Sequence, residues 1–429
     1  MQTKIKIKDT SLNFERESLY PYRFGGSAVT QLWQTAAWLQ SESGVSRVGL
    51  GTQSPLWSDG NVAGAHSENG ANALMFAMSE KALQLIKGIS FTDPMELLDS
   101  ILPEVHAYGN KITGESDLRK TFALNSLVCI DNAAWLLYAH ENNLKTFDDM
   151  IPVEYRAGLS YRNEKVASIP SFPVGTAIEK IKAAADEGYF ILKLKTGSKG
   201  TQEEMLAQDL EFLSNVHKAI GHYETPHTKD GKIHYYIDAN GRYGSMETLL
   251  RFLDHAKKIG AFDQIAVIEE PLGQKDESYV GDVGVTIAAD ESAHTVQDAM
   301  DRVEQGYGTI VVKAIAKTLS MTLKIVQACH KRKVPCISAD LTVNPILVDW
   351  NKSIAARLAP LPMMNFGLLE TNGHQFYKNW GKLESYHPRA GAEWTQTKNG
   401  AYTTGRSFYE ESGGIFLPSE HYQSLFIEG

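Results

Sequence analysis

Two rhythms of polar and apolar positions divide the chain. Up to about residue 65 the period is two: KIKIKD alternates residue by residue, LWQTAAWLQ and SRVGLGTQ read as further strands, and Gly25, Gly26 and Gly44 punctuate them. Two stretches there mix polar and aromatic residues, 18–27 and 51–61, and are expected as loops. From Asn72 the apolar spacing becomes three and four, which predicts helices over 73–87, 94–104 and 118–140. A small α+β domain is expected over residues 1–160.

From about Val166 short apolar strands alternate with amphipathic helices. Strands are predicted at 165–172, 189–195, 234–240, 265–270, 285–292, 308–314, 334–340 and 363–370. Helices follow at 176–187, with Thr176 and Glu179 as a capping box, at 202–220 and at 245–259. Eight strands, rather than five or six, predict a closed (β/α) barrel over 161–370 instead of an open sheet, so the fold class is α/β. The polar stretch 221–233 does not fit this rhythm and is expected as a surface loop or hairpin. After Glu370 the period is lost, and the aromatic-rich segment 371–429 is expected to fold back across the first domain.

Composition narrows the function. Hydrophobic residues make up 43% of the 429, enough for a large core, and 42 basic against 51 acidic residues leave a net charge of −9. No basic stripe interleaved with aromatics stands out, so neither nucleic acid nor an anionic membrane is an expected partner. Cys129, Cys329 and Cys336 are odd in number and show no metal or CxxC spacing, which suits a reducing compartment. With no apolar signal core in MQTKIKIKD and no run of 18 apolar residues, a soluble cytoplasmic protein is expected.

The candidate chemistry lies at the strand ends. In YFILKLK, Lys193 and Lys195 share one face of a strand, and two ammonium groups forced together are relieved when one loses its proton and becomes a base. Downstream strands end on Asp238 (IDANG), Glu269 (IEEP), Asp290 (AADES) and Lys313 (VVKA). In a barrel all these ends face one mouth. Taken singly, each carboxylate also suits a helix cap. Three brought together would repel, and a divalent cation with oxygen ligands, Mg²⁺ above all, resolves the conflict.

As a set, the KxK pair, DAN, EEP, ADES and the lysine of the next strand resemble the enolase superfamily and, within it, the muconate-lactonizing-enzyme subgroup. The resemblance implies a modified (β/α)7β barrel with an α+β capping domain built from the N-terminus and the C-terminal tail. It implies that Asp238, Glu269 and Asp290 ligate one Mg²⁺ and that Lys195 and Lys313 are acid/base groups on opposite sides. Lys193 would disfavour protonation of Lys195 and touch the substrate carboxylate. Glu270 is expected to be structural, Asn240 either a second layer of support or a turn residue, Lys317 part of the next helix or its loop, and His294 a helix-start residue. Lysines on both faces imply a racemase or epimerase acting on an amino-acid-derived carboxylate. The same pair also serves dehydratases, succinylbenzoate-synthase-like lyases and cycloisomerases, and a silent carboxylate-binding barrel is the non-enzymatic alternative. Where dipeptide epimerases of the family carry Asp-x-Asp, this chain has Glu370-Thr371-Asn372. Glu370 and Asp340 are therefore candidates to meet a substrate cation, and Arg23, Phe24 and Trp57, with Tyr20 and Asp59, are candidate lid or loop-packing residues. The family also implies a homo-oligomer.

Overall fold

The structure, a computed structural model, describes residues 3–24 and 27–427, and the side chains of residues 22–24 and 27–28 lie outside that description. Its first sheet is antiparallel in the order β3-β2-β1-β4, from β1 (Ile5–Phe24), β2 (Ser27–Ser41), β3 (Ser46–Gln53) and the short β4 (Ser90–Phe91). Of the stretch 18–27, the described residues are strand rather than loop, with pairing that resumes at Tyr22↔Val29 and continues through Arg23↔Ala28 to Phe24↔Ser27, while Gly25 and Gly26 lie outside the described residues. A register shift between Ser18 and Tyr22 takes up Pro21, which has no N–H for the ladder. The stretch 51–61 also differs from expectation. It completes β3 and then forms two short helices, Pro55–Ser58 and Gly60–Ala65. Pro55 sits in a first turn where no N–H is needed, and Asp59 caps the second helix by accepting from the amides of Asn61 and Val62.

Three longer helices, Glu68–Ile86, Pro94–Thr113 and Lys120–Glu141, cover this sheet and the side of the barrel. The third is buried on every face from Thr121 to Ala139, because it lies between the two layers. Among the described residues it is the one helix long and apolar enough to cross a membrane, yet it is enclosed by the protein itself. Its approach to β3 depends on Gly49, where a Cβ would stand 2.1 Å from the backbone nitrogen of Ala133. One hydrophobic core runs through both domains.

The barrel's first strand breaks at Pro170 into β5 (Lys165–Ile169) and β6 (Ser171–Pro173). Then follow β7 (Ile191–Lys195), β8 (His234–Asp238), β9 (Ile265–Glu269), β10 (Ile287–Ala289), β11 (Thr309–Val312), β12 (Cys336–Ser338) and β13 (Gly367–Glu370), each parallel to the next. β13 pairs with β5 and β6 with β7, while the Pro170 carbonyl accepts from the Lys193 amide at 3.0 Å, which closes a ring of eight. The first barrel helix runs Ile178–Asp186 and lacks the expected capping box: its N-cap is Ala177, and the Thr176 hydroxyl donates back to the Pro173 carbonyl at 2.6 Å.

The tail divides its contacts. Lys378 donates from its amide to the Ser18 carbonyl at 3.1 Å, and Asn379 from its side chain to Glu17 at 2.6 Å, both on the first sheet. β14 (Thr397–Lys398) and β15 (Ala401–Thr403) instead form a hairpin whose second strand pairs antiparallel with β5 of the barrel. The 221–233 stretch is hairpin-like, with bridges Glu224↔Lys232 and Thr228↔Met364. It precedes β8 and so lies at the end of the barrel away from the mouth.

Candidate active site

Parallel register sets the charged residues side by side along the rim. Pro173↔Lys195, Lys195↔Asp238 and Asp238↔Glu269 are partners across β6, β7, β8 and β9. Asp290 and Lys313 follow β10 and β11 directly, and Glu370 ends β13. All of these residues line one cavity of about 50 Å³, roofed by Val29, Leu56, Trp57 and Phe376 from outside the barrel. β7 and β11 are four steps apart in a ring of eight, so Lys195 and Lys313 stand on opposite sides.

Every lysine at the rim meets a carboxylate. Lys193 Nζ lies 3.0 Å from Asp238 Oδ2, 2.8 Å from Glu269 Oε2 and 3.0 Å from Glu370 Oε2. Lys195 Nζ donates to the same Asp238 Oδ2 at 2.9 Å, and Lys313 Nζ reaches Asp290 Oδ2 at 2.5 Å. The expected relief of lysine repulsion by proton loss is not what happens at Lys193. Burial opposes its charge, but Asp238, Glu269 and Glu370 outweigh burial and hold it well above the ordinary lysine value. Asp238 absorbs the repulsion by bridging both ammonium groups. Against burial, Lys193 and then Lys195 hold Asp238 down at about 2. Burial likewise opposes the charge on Asp290, and Lys313 and Lys317 prevail, keeping it below the carboxylate range.

Carboxylate oxygens of Glu269, Asp290 and Glu291 lie within 4.8 Å of one another, which is the spacing of a metal site. Within this group Glu269 Oε1 and Glu291 Oε2 are buried and have no hydrogen-bond partner among the described residues. Burial and neighbouring Asp238 push Glu269 well above the ordinary range; burial and neighbouring Asp290 push Glu291 up to about 8. Crowded, desolvated, unpartnered oxygens are a donor set that fits a hard cation such as Mg²⁺. Glu291 was not foreseen, since strand alternation would aim it away from Asp290. But β10 ends at Ala289, and the turn that follows brings both side chains inward. Asp238 stands beside the group with Oδ1 accepting from the Asn240 amide at 3.0 Å and Oδ2 held by the two lysines.

Glu270 is structural, as expected: its Oε1 accepts from the Asp290 amide, the Ser292 amide and the Ser292 hydroxyl at 2.7, 2.8 and 2.6 Å. Asn240 fills both of its expected roles, turning the chain at φ 47° and donating to Glu291 Oε1 at 3.1 Å. Lys317 lies in the turn before the next helix, where it donates to the Asp290 carbonyl at 2.8 Å; burial lowers its pKa. Trp57 Nε1 donates to Asp290 Oδ2 at 3.4 Å, and its ring centroid lies 4.7 Å from Lys313 Nζ. Asp340 is spent on backbone: Oδ1 accepts from Leu341 and Val343 and Oδ2 from Asn372 at 3.0 Å, while burial raises it to about 6. Asp59 is a helix cap, and Tyr20 is exposed. The side chains of Arg23 and Phe24 lie outside the described residues. His294 sits one residue before the N-cap Thr295 and borders a second, larger cavity.

Residues 176–374 match the family model described as enolase C-terminal domain-like. No curated protein matches the sequence. Among solved structures, the chain is similar to a mandelate racemase/muconate lactonizing protein from Herpetosiphon aurantiacus, with a TM-score of 0.65, 16% identity, and 93% of this chain and 95% of that one covered. A dipeptide epimerase from Enterococcus faecalis, complexed with Mg and the dipeptide L-Leu-L-Tyr, gives 0.61 at 18% identity over 87% and 92%. An L-Ala-D/L-Glu epimerase from Bacillus subtilis gives 0.61 at 16% identity, again over 87% and 92%. These likenesses show the fold, a barrel with a capping domain. Together with the match over residues 176–374, they show that this chain resembles the enolase superfamily in its barrel domain and in its fold.

Proposed function

We propose that this protein removes the α-proton of a small carboxylate substrate with Mg²⁺ as cofactor and returns a proton to the opposite face, racemising or epimerising an amino-acid derivative. The observation that carries the reading is the pair of lysines, Lys195 and Lys313, opposed across one carboxylate-walled cavity. A proton next to a carboxylate is only weakly acidic because its loss puts two negative charges on one carboxyl group. An ion held by Glu269, Asp290, Glu291 and Asp238 supplies positive charge where that negative charge develops. Lys195 leaves Asp238 and accepts the proton, the C–H electron pair passing into the carboxyl group. Lys313 then donates from the other face, and the reverse reaction exchanges the two roles. Lys193, pinned by three carboxylates, stays charged beside the site.

The surroundings favour a substrate whose nitrogen is acylated and whose side chain is apolar. Both Asp340 oxygens are taken by backbone amides and Glu370 shares Lys193, so neither is at hand for a substrate ammonium. Val29, Leu56, Trp57 and Phe376 offer apolar surface instead.

The test is α-proton exchange in D₂O with Mg²⁺, over a panel of N-acyl amino acids and dipeptides. Deuterium enters the α-position of both enantiomers, N-acyl substrates lead, and Lys195→Ala and Lys313→Ala each abolish racemisation while calorimetry still records Mg²⁺ binding. Full activity of either variant on both enantiomers would refute the two-base reading. A product lighter by one water assigns the site to a lyase.

A further inference from the structure

Lys313 has one carboxylate partner among the described residues, Asp290, and that carboxylate belongs to the acidic group with Glu269 and Glu291. An ammonium guided by Asp290 alone would rest on the acidic group instead of facing the substrate, and a lysine stem is flexible enough to let it. A second contact is aromatic. The Trp57 ring centroid lies 4.7 Å from Lys313 Nζ, and Trp57 Nε1 donates to Asp290 Oδ2 at 3.4 Å. A ring face attracts an ammonium through its quadrupole, most strongly where both are out of water, and Trp57 and Lys313 are both buried.

Trp57 can serve as a fixed wall only if its backbone is held, and a helix of four residues is too short to hold itself. The hold comes from the helix Lys120–Glu141. Asn125 Oδ1 accepts from the Ser54 amide at 2.8 Å and from the Ser58 hydroxyl at 3.3 Å, and the Thr121 hydroxyl donates to the Ser58 carbonyl at 2.7 Å. Both ends of the turn Pro55–Ser58 are thus pinned by buried polar side chains. Leu56 and Trp57 line the lysine cavity and also a larger cleft of about 740 Å³ beside it, so the indole is part of the wall between Lys313 and that cleft.

We propose that Trp57 is the positioning residue of Lys313, so that the capping domain, through one indole, sets the acid/base group on one face of the substrate. The inference rests on the two-lysine reading and adds to it an asymmetry between the faces. The proton step is unchanged: Lys313 Nζ takes the α-proton, the C–H electron pair enters the carboxyl group, and the same nitrogen, its protons exchanged with solvent, can return a deuteron. Trp57 supplies the place of Nζ and keeps water from it, so its loss falls on the Lys313 face and not on the Lys195 face across the cavity.

The test is α-proton exchange in D₂O at saturating Mg²⁺, measured separately on the two enantiomers of the N-acyl amino acid that wild type exchanges fastest. Lys313→Ala marks the enantiomer that belongs to Lys313, because that one alone loses exchange. For it, Trp57→Leu lowers kcat by at least about tenfold, equivalent to ~1.4 kcal/mol, against less than about threefold for the other, while the lost apolar surface raises KM for both alike. Trp57→Phe, which keeps a ring over Nζ and drops the N–H, stays within about threefold on both. Limited acetylation of the metal-free protein, read by peptide mass spectrometry against the exposed Lys258, needs neither substrate nor metal. Lys313 is expected to react at least about tenfold faster in Trp57→Leu and at the wild-type rate in Trp57→Phe. Equal slowing of both enantiomers, or slowing of neither, overturns the proposal. A wild type that exchanges neither enantiomer refutes the two-lysine reading instead, and unaltered acetylation of Lys313 in Trp57→Leu then overturns the positioning contact on its own. Should Trp57→Leu fail to fold, Trp57→Met decides by the same criteria.

Discussion

Glu291 ties the acidic group to its surroundings more than any other single residue. It brings an unpartnered buried oxygen to the group, accepts from Asn240 through the other, and borders both cavities. Glu291→Gln is expected to weaken Mg²⁺ binding by about 10–100-fold, the range seen when a supporting or ligating carboxylate is lost. At neutral pH the same change is expected to raise the melting temperature of the metal-free protein, since burial and Asp290 make the folded state hold a proton on Glu291 that the unfolded chain releases, a cost that Gln does not carry. Calorimetric Mg²⁺ titration and thermal denaturation with chelator read the two effects; a variant with unaltered affinity would remove Glu291 from the site. Lys195, Asp238, Glu269, Asp290 and Lys313 were legible in the sequence because barrel topology converts βα spacing into convergence at one mouth. Glu291 was not, because two adjacent acids on a strand face apart, and only the end of β10 at Ala289 changes that. Nor does sequence show that Asp340 would turn its carboxylate onto the amides of Leu341, Val343 and Asn372 rather than into the cavity.

At the scale of elements, the turn after β10 is held by one acceptor. Glu270→Ala leaves the Asp290 amide, the Ser292 amide and the Ser292 hydroxyl buried without a partner, at a cost of about 2–4 kcal/mol in stability. Because Asp290 and Glu291 both leave this turn, metal affinity falls with it, while Glu270→Gln, which keeps an acceptor oxygen, restores most of both; denaturant unfolding and Mg²⁺ titration of the pair of variants make the comparison. The strand count and the long helices were readable from periodicity alone. The strand pairing of 22–24 with 27–29 was not, because Pro21 and the neighbouring aromatics carry the composition of a loop while the partner strand supplies the ladder. The split of the first barrel strand at Pro170 was likewise hidden: a proline inside a short apolar run looks like an edge, and here the Lys193 amide bonds its carbonyl and carries the sheet across. β15, three residues long, has no periodic signature at all and forms only because β5 offers an edge.

For the whole molecule the question is what fixes the capping domain to the barrel, since Trp57 reaches Asp290 only while the two are in register. A polar latch joins them. Asp131 of the capping helix Lys120–Glu141 accepts from the amide and the hydroxyl of Ser320, in the first turn of the helix that follows Lys317, and Trp135 Nε1 donates to the same hydroxyl at 2.9 Å. Burial, only partly offset by Ser320, raises Asp131 from the usual carboxylate value to about 7. The folded protein therefore keeps a proton that the unfolded chain releases near pH 4, and the stability contributed by that protonated form is lost as pH rises through about 7. Asp131→Asn is neutral at every pH and can still hydrogen-bond Ser320. The unfolding free energy of wild type minus that of Asp131→Asn is expected to fall by on the order of 3 kcal/mol between pH 4 and pH 8 and to level off above. Groups that titrate in both proteins, such as Asp340 and Asp209, cancel in the difference. Denaturant unfolding of the two proteins across that range checks it, and a flat difference would mean that Asp131 is already ionised in the latch at pH 4.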